Sequence, residues 1–160
     1  MLILFRALTY ATLFVGLLLV VVPQRILAEA GITRPARIGL IEVTGVALFV
    51  AGAALALWSV FAFALIGRGT PAPFDPPRRL VIAGPYGWVR NPMYLGAGLV
   101  LLGAAMFYGS IGLVLFTIAF WSAAHLFVLY YEEPTLRRRF GPDYEAYLRR
   151  RRRWIPRWRS

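Results

Sequence analysis

Residues 38–66 read IGLIEVTGVALFVAGAALALWSVFAFALI, a run whose only charged residue is Glu42, in its first turns. A helix needs roughly 20 mostly apolar residues to cross ~30 Å of hydrocarbon, and this run exceeds that. Its apolar residues fall on every side of a helix, which suits lipid better than the surface of a soluble domain. Working outward, Leu2–Val22 is a second such run, with Arg6 near its start. Met93–Phe107 is apolar but short, and Ser110–Tyr131 is long and apolar. Only Tyr108 and Gly109 separate those two, which predicts a tight helical hairpin. The sequence therefore predicts an all-α, polytopic integral membrane protein. It has about four transmembrane helices, over 2–22, 38–66, 93–107 and 110–131, in one domain spanning 1–160, with a C-terminal helical segment at the cytoplasmic face. A soluble bundle with an unusually apolar core is the weaker alternative.

Charge placement supplies the orientation. All 18 basic residues are arginine, and the net charge is +11. Arg25, Arg34 and Arg37 fall in the first loop; Arg6, Arg68, Arg78, Arg79, Arg90 and the ten tail arginines from Arg137 to Arg159 fall on the other side of a four-span topology. The positive-inside rule makes that second side cytoplasmic, with both termini. The expected location is the cell (inner) membrane. Arg149–Arg153 reads as a polybasic anchor for anionic lipid rather than a nucleic-acid patch. The first run is too long for a signal-peptide core, and no small-residue cleavage site follows before Pro23, so a removable leader is not expected. The absence of cysteine excludes disulfides, Cys-ligated zinc and cysteine nucleophiles.

Two regions are not simple spans. Gly67–Pro92 carries four prolines between Pro71 and Pro77, which remove donors and fix φ, so the loop is stiff and shaped. Gly84-Pro85 marks a turn, and Pro92 suits the first position of the third helix with Asn91 as its cap. In the tail, Phe140-Gly141-Pro142-Asp143 predicts one helix ending at a glycine and another starting at a proline. Leu136, Phe140, Tyr144 and Tyr147 form one apolar stripe, which predicts packing against protein or the membrane surface.

Polar groups near membrane depth point to the chemistry. The topology brings Arg90, Asn91 and Tyr94, at the start of the third span, toward Glu132 and Glu133 at the end of the fourth. Adjacent carboxylates at a helix C-terminus oppose the helix dipole and call for a cationic partner; a simply solvated pair is the alternative. His125, seven residues before Glu132, and Trp121, four before His125, share that helix face. His125 reads equally as a core histidine bonded to a carbonyl. Arg90 could be a topology charge, Gly67 and Gly69 a helix stop, and Glu42 is structural.

Gly84-Pro85-Tyr86-Gly87-Trp88-Val89-Arg90-Asn91-Pro92-Met93-Tyr94-Leu95-Gly96 resembles the G-P-Y-x-x-V-R-[HN]-P-x-Y-x-G signature of the isoprenylcysteine carboxyl methyltransferase and phospholipid methyltransferase superfamily. Glu132-Glu133, followed by Leu136, Phe140-Gly141, Tyr144 and Tyr147, resembles its second signature. The resemblance implies S-adenosylmethionine as cofactor, held by residues 67–92 and 131–156 at the cytoplasmic face. By analogy, Gly67, Gly69, Tyr86, Arg90, Pro92, His125, Glu132 and Glu133 bind it; Arg90, Asn91 and Tyr94 form the catalytic set, without a metal. Asn91 replaces the family's histidine and removes a titrating group there. The implied partner is a lipophilic acceptor, an isoprenylcysteine-like carboxylate or a lipid, with no nucleic acid. Rival expectations are a sterol-reductase-like enzyme using NADPH, disfavoured by Glu132-Glu133-Pro134, and a non-catalytic scaffold anchored by its tail.

Overall fold

The computed structural model describes residues 16–35, 37–67 and 79–156. Most of the expected crossing at 2–22 lies outside the described residues, as do Gly69 and the proline-rich stretch 71–77. The described residues form helices and turns, with no strand among them. A π-helical Gly16–Val21 leads into α1, Val22–Glu29. The second helix, α2, spans Leu40–Ala62. Glu42 works at its start, where the carboxylate accepts the Gly39 N–H at 2.7 Å and satisfies an otherwise orphan donor. A π-turn, Phe63–Gly67, continues it.

The combined helix Leu40–Gly67 has mean hydropathy 2.3, yet only 22% of its most apolar window is buried. A soluble core helix would bury most of that surface. Here Ile41, Val50, Leu57, Phe61 and Leu65 all face outward. An exposed apolar face this long calls for lipid.

The third helix, α3, runs Pro92–Tyr108 with Pro92 at its first turn. Asn91 sits at the cap position, but its side chain does not cap the helix. Its Nδ2 instead donates to the Arg153 carbonyl at 3.4 Å, a correction to the expected role. The hairpin forms as expected. Gly109 takes φ +60, which closes α3, and the Ser110 hydroxyl accepts the Leu113 N–H at 3.3 Å to open α4, Ile111–Phe127. A π-turn, Val128–Glu132, joins α4 to α5, Glu133–Arg150. The apolar run stops at Tyr131, and α5 is the polar surface segment. It bends at Gly141, where φ is +48, just before Pro142.

Among the described residues, two helices are long and apolar enough to cross a membrane: Leu40–Gly67 and the apolar part of Ile111–Arg150. With 17 residues, α3 rises about 25 Å, short of the hydrocarbon thickness. Glycines set how closely these helices pack. A Cβ on Gly52 would lie 2.6 Å from the Gly96 carbonyl oxygen, and one on Gly103 would lie 2.5 Å from that of Gly45. Antiparallel α2 and α3 thus touch backbone to backbone, the small-residue packing that drives association in lipid. On its other face, α3 places Gly98 beneath the Trp121 indole of α4.

Candidate functional site

The site forms where the loop before α3, the α4–α5 junction and the chain after α5 converge. The loop is held by packing at its base. Tyr86 lies in the 3₁₀ turn Gly84–Gly87, buried with Val81 and Ala62, and its ring lies 5.9 Å from that of Phe63. Trp88 meets Trp58 edge-to-face at 5.2 Å. Gly67 is buried, and its carbonyl accepts the Arg79 N–H at 3.2 Å, pinning the far end of the loop. Tyr147 of α5 then donates its hydroxyl to the Tyr86 carbonyl at 2.7 Å. Burial, first, and the neighbouring Tyr144 push the Tyr147 hydroxyl above its ordinary range, so it remains a donor.

Glu133 is the electrostatic centre, only 5% exposed. Arg90 Nη1 donates to its Oε1 at 2.8 Å. Arg153 adds a bidentate contact, Nε to Oε1 at 2.6 Å and Nη2 to Oε2 at 2.9 Å. Burial works to raise this carboxyl. The Arg153 hydrogen bonds and the Arg90 and Arg153 charges outweigh it and hold Glu133 below the ordinary carboxylate range. A buried carboxylate is tolerated only when paired and hydrogen-bonded in this way.

Main-chain bonds reinforce the clasp. The Arg90 N–H donates to the Arg152 carbonyl at 2.9 Å, and the Asn91 N–H to that of Arg153 at 3.2 Å. The chain after α5 therefore folds back over the start of α3. Trp154 fastens it, its Nε1 donating to His125 Nδ1 at 3.1 Å.

Glu132 faces a different environment. It is half-buried, and the Tyr94 hydroxyl donates to its Oε2 at 3.3 Å. No arginine of the described residues is bonded to it. Burial pushes its carboxyl up to about 7; the Tyr94 bond lowers it somewhat and the Glu133 charge raises it. Nearby, Arg90 Nε is buried with no hydrogen-bond partner among the described residues.

The structure thus brings Tyr86, Arg90, Asn91, Pro92, Tyr94, Glu132 and Glu133 to one end of the helices. Gly67 joins them through the loop base, while Gly69 lies outside the described residues. His125 contacts the tail, accepting the Trp154 Nε1–H, and among the described residues no hydrogen bond joins it to Glu132. Arg153 and Trp154 were not expected at the site, whereas Tyr147 belongs to the apolar stripe expected to pack against protein or the membrane surface, and it packs against the loop at Tyr86. Arg153 stood inside an arginine run that reads as a lipid anchor; the structure makes it a partner of Glu133. The signal for it was the demand of the adjacent Glu132-Glu133 carboxylates for a cation; the expected helix end is absent, since the π-turn Val128–Glu132 runs on into α5, and burial of Glu133 rather than a helix terminus makes that demand. No group of three or more potential metal ligands occurs among the described residues.

The described residues are helical, with long apolar faces exposed and a buried Arg–Glu–Arg cluster at one end, an architecture suited to a membrane protein. The family model for phospholipid methyltransferases matches residues 40–143, well over half the chain. The chain belongs to the phospholipid methyltransferase family and is a membrane methyltransferase. Neither the curated proteins nor the solved structures contain a match to it.

Proposed function

We propose that the protein transfers a methyl group from S-adenosylmethionine to a lipophilic acceptor, at the end of the helices where Arg90, Tyr94 and Glu132 meet. The observation that carries this reading is the inequality of the two adjacent carboxylates. Glu133 is neutralised by two arginines, whereas among the described residues Glu132 faces none. A half-buried carboxylate without a cation fits a cationic ligand, and Arg90 Nε–H fits a carboxylate. Together they suit a zwitterionic amino-acid moiety next to a sulfonium. Glu132 would hold the cation and Arg90 the carboxylate, with Tyr94 orienting Glu132. Glu133 and Arg153 would fix Arg90.

S-adenosylmethionine, when bound, supplies a methyl group already activated on positive sulfur. What the chain's residues must provide is alignment of the acceptor and exclusion of water. The acceptor class is an apolar carboxylate, amine or hydroxyl carried in the bilayer, reaching the site laterally past the exposed apolar faces of α2 and α4. The topology that fits is four crossings of the cell membrane with both termini cytoplasmic, supported by the arginine asymmetry.

The test uses membranes containing the protein and methyl-labelled S-adenosylmethionine. Label should appear in a lipid-phase product with wild type and fall at least tenfold with Glu132→Gln. Label transfer that is the same in Glu132→Gln as in wild type, or absent from wild type, would remove the assignment.

A further inference from the structure

A groove lies between the loop segment Arg79–Ile82 and α5. It is an open groove of about 660 Å³, lined by Arg79, Leu80, Ile82, Phe140, Asp143 and Ala146 together with Tyr147, Arg150 and Arg151. Three arginines against one aspartate give the groove an excess of positive charge. Arg79 and Arg150 are exposed, and Ile82, an exposed apolar residue, lines the groove together with Leu80 and Phe140. The Arg151 guanidinium also bonds the Arg150 carbonyl at 3.4 Å, which ties two of the arginines together.

This combination has a specific chemical meaning. Guanidinium groups match the planar pairs of oxygens on a phosphodiester, and an aliphatic side beside them suits the start of acyl chains. The volume falls in the ordinary range for a small-molecule site. The groove also sits at the polar end of the membrane-facing helices, the depth at which lipid headgroups lie. We infer that the groove binds the phosphodiester headgroup of an anionic membrane lipid. This goes beyond the methyl-transfer reading: the groove engages neither Glu132 nor the methyl donor, and it replaces a diffuse polybasic anchor with a built site. It rests on the reading of the chain as a membrane protein.

The experiment titrates phosphatidylglycerol, phosphatidylcholine and soluble glycerol phosphate separately into the full chain in neutral detergent, reading lipid adducts by native mass spectrometry. Two variants remove equal charge at the same end of the molecule: Arg79→Gln with Arg150→Gln in the groove, and Arg138→Gln with Arg152→Gln outside it. All four arginines are exposed, and Gln at position 152 keeps the carbonyl that Arg90 uses.

Saturable binding of one phosphatidylglycerol is expected, at least tenfold weaker in the groove variant and changed less than threefold in the control. Phosphatidylcholine should bind at least tenfold more weakly. Equal losses in both variants would reduce the effect to diffuse charge and overturn the inference. Displacement by millimolar glycerol phosphate would assign the site to free phosphate instead and overturn the lipid. Either result leaves the methyl-transfer reading standing, because no cofactor enters the assay.

Discussion

Replacing Glu133 by glutamine tests the clasp directly. Glutamine keeps the shape of the side chain and one acceptor oxygen but removes the charge that balances Arg90 and Arg153. The Arg90 side chain is 12% exposed and Arg153 32%, so one cation is left nearly buried and the other partly in water. Breaking a buried pair costs about 3–5 kcal/mol, and the partial exposure of Arg153 favours the lower end. A cost of about 3 kcal/mol would make local opening roughly 100-fold more frequent, at 1.4 kcal/mol per tenfold.

The Arg90 and Asn91 amides are the natural reporters, because they bond the Arg152 and Arg153 carbonyls inside the clasp. Their hydrogen exchange in detergent should accelerate by about 100-fold. The amides of α2 and α3 near Gly52 and Gly96 should keep their protection, since the change is local. Arg153→Gln should show a smaller acceleration of the same two amides. Unchanged exchange at Arg90 and Asn91 in Glu133→Gln would refute the view that this ion cluster holds the tail to α3.

Further outcomes follow from the same geometry. With the Glu132 carboxyl near 7, a cationic ligand should bind up to about fivefold more tightly at pH 7 than at pH 6, up to about tenfold more tightly at pH 8 than at pH 6, and level off above pH 8; titrating S-adenosylhomocysteine calorimetrically should give a flat profile in Glu132→Gln. The folded chain holds that proton more tightly than the unfolded one, so Glu132's contribution to stability should fall as pH rises from the usual carboxylate range through 7. That slope in melting temperature should vanish in the same variant. Glu133, held low, contributes the opposite sign, with stability present above the usual carboxylate range and lost as acid protonates it. Gly52→Val should force α2 and α3 apart and lower stability by about 1–3 kcal/mol or more, read as the melting temperature in detergent. Trp154→Phe should cost about 1 kcal/mol through the lost bond to His125 and raise exchange in the tail without altering the α2–α3 interface.

Much of the site was legible in one dimension because helices impose fixed topology. Two apolar runs separated by Tyr108 and Gly109 must return to the same end, so Arg90 and Glu133 had to approach whatever the details. Glu42 as a structural residue and the break at Gly141-Pro142 were equally local, decided by capping and backbone stereochemistry within a few residues. The partners across space were not. Asn91 was expected to cap α3 and bonds the tail instead. His125 was expected on the Glu132 face of its helix, and its partner, Trp154, comes from a tail segment 29 residues along that no periodicity announces.

The sequence by itself determined that long stretches of this chain are apolar enough to cross a bilayer, and that two adjacent glutamates follow one of them and call for a cation. Only the tertiary structure decided how that need is met. Arg153, twenty positions along the chain in a run of identical residues, takes Glu133, and Glu132 is left facing Tyr94. Five arginines in a row are chemically equivalent as a string. The bend at Gly141 and the return of the chain over α3 set which guanidinium reaches the carboxylate, and an ion pair depends on distances of a few ångströms that residue order alone does not encode.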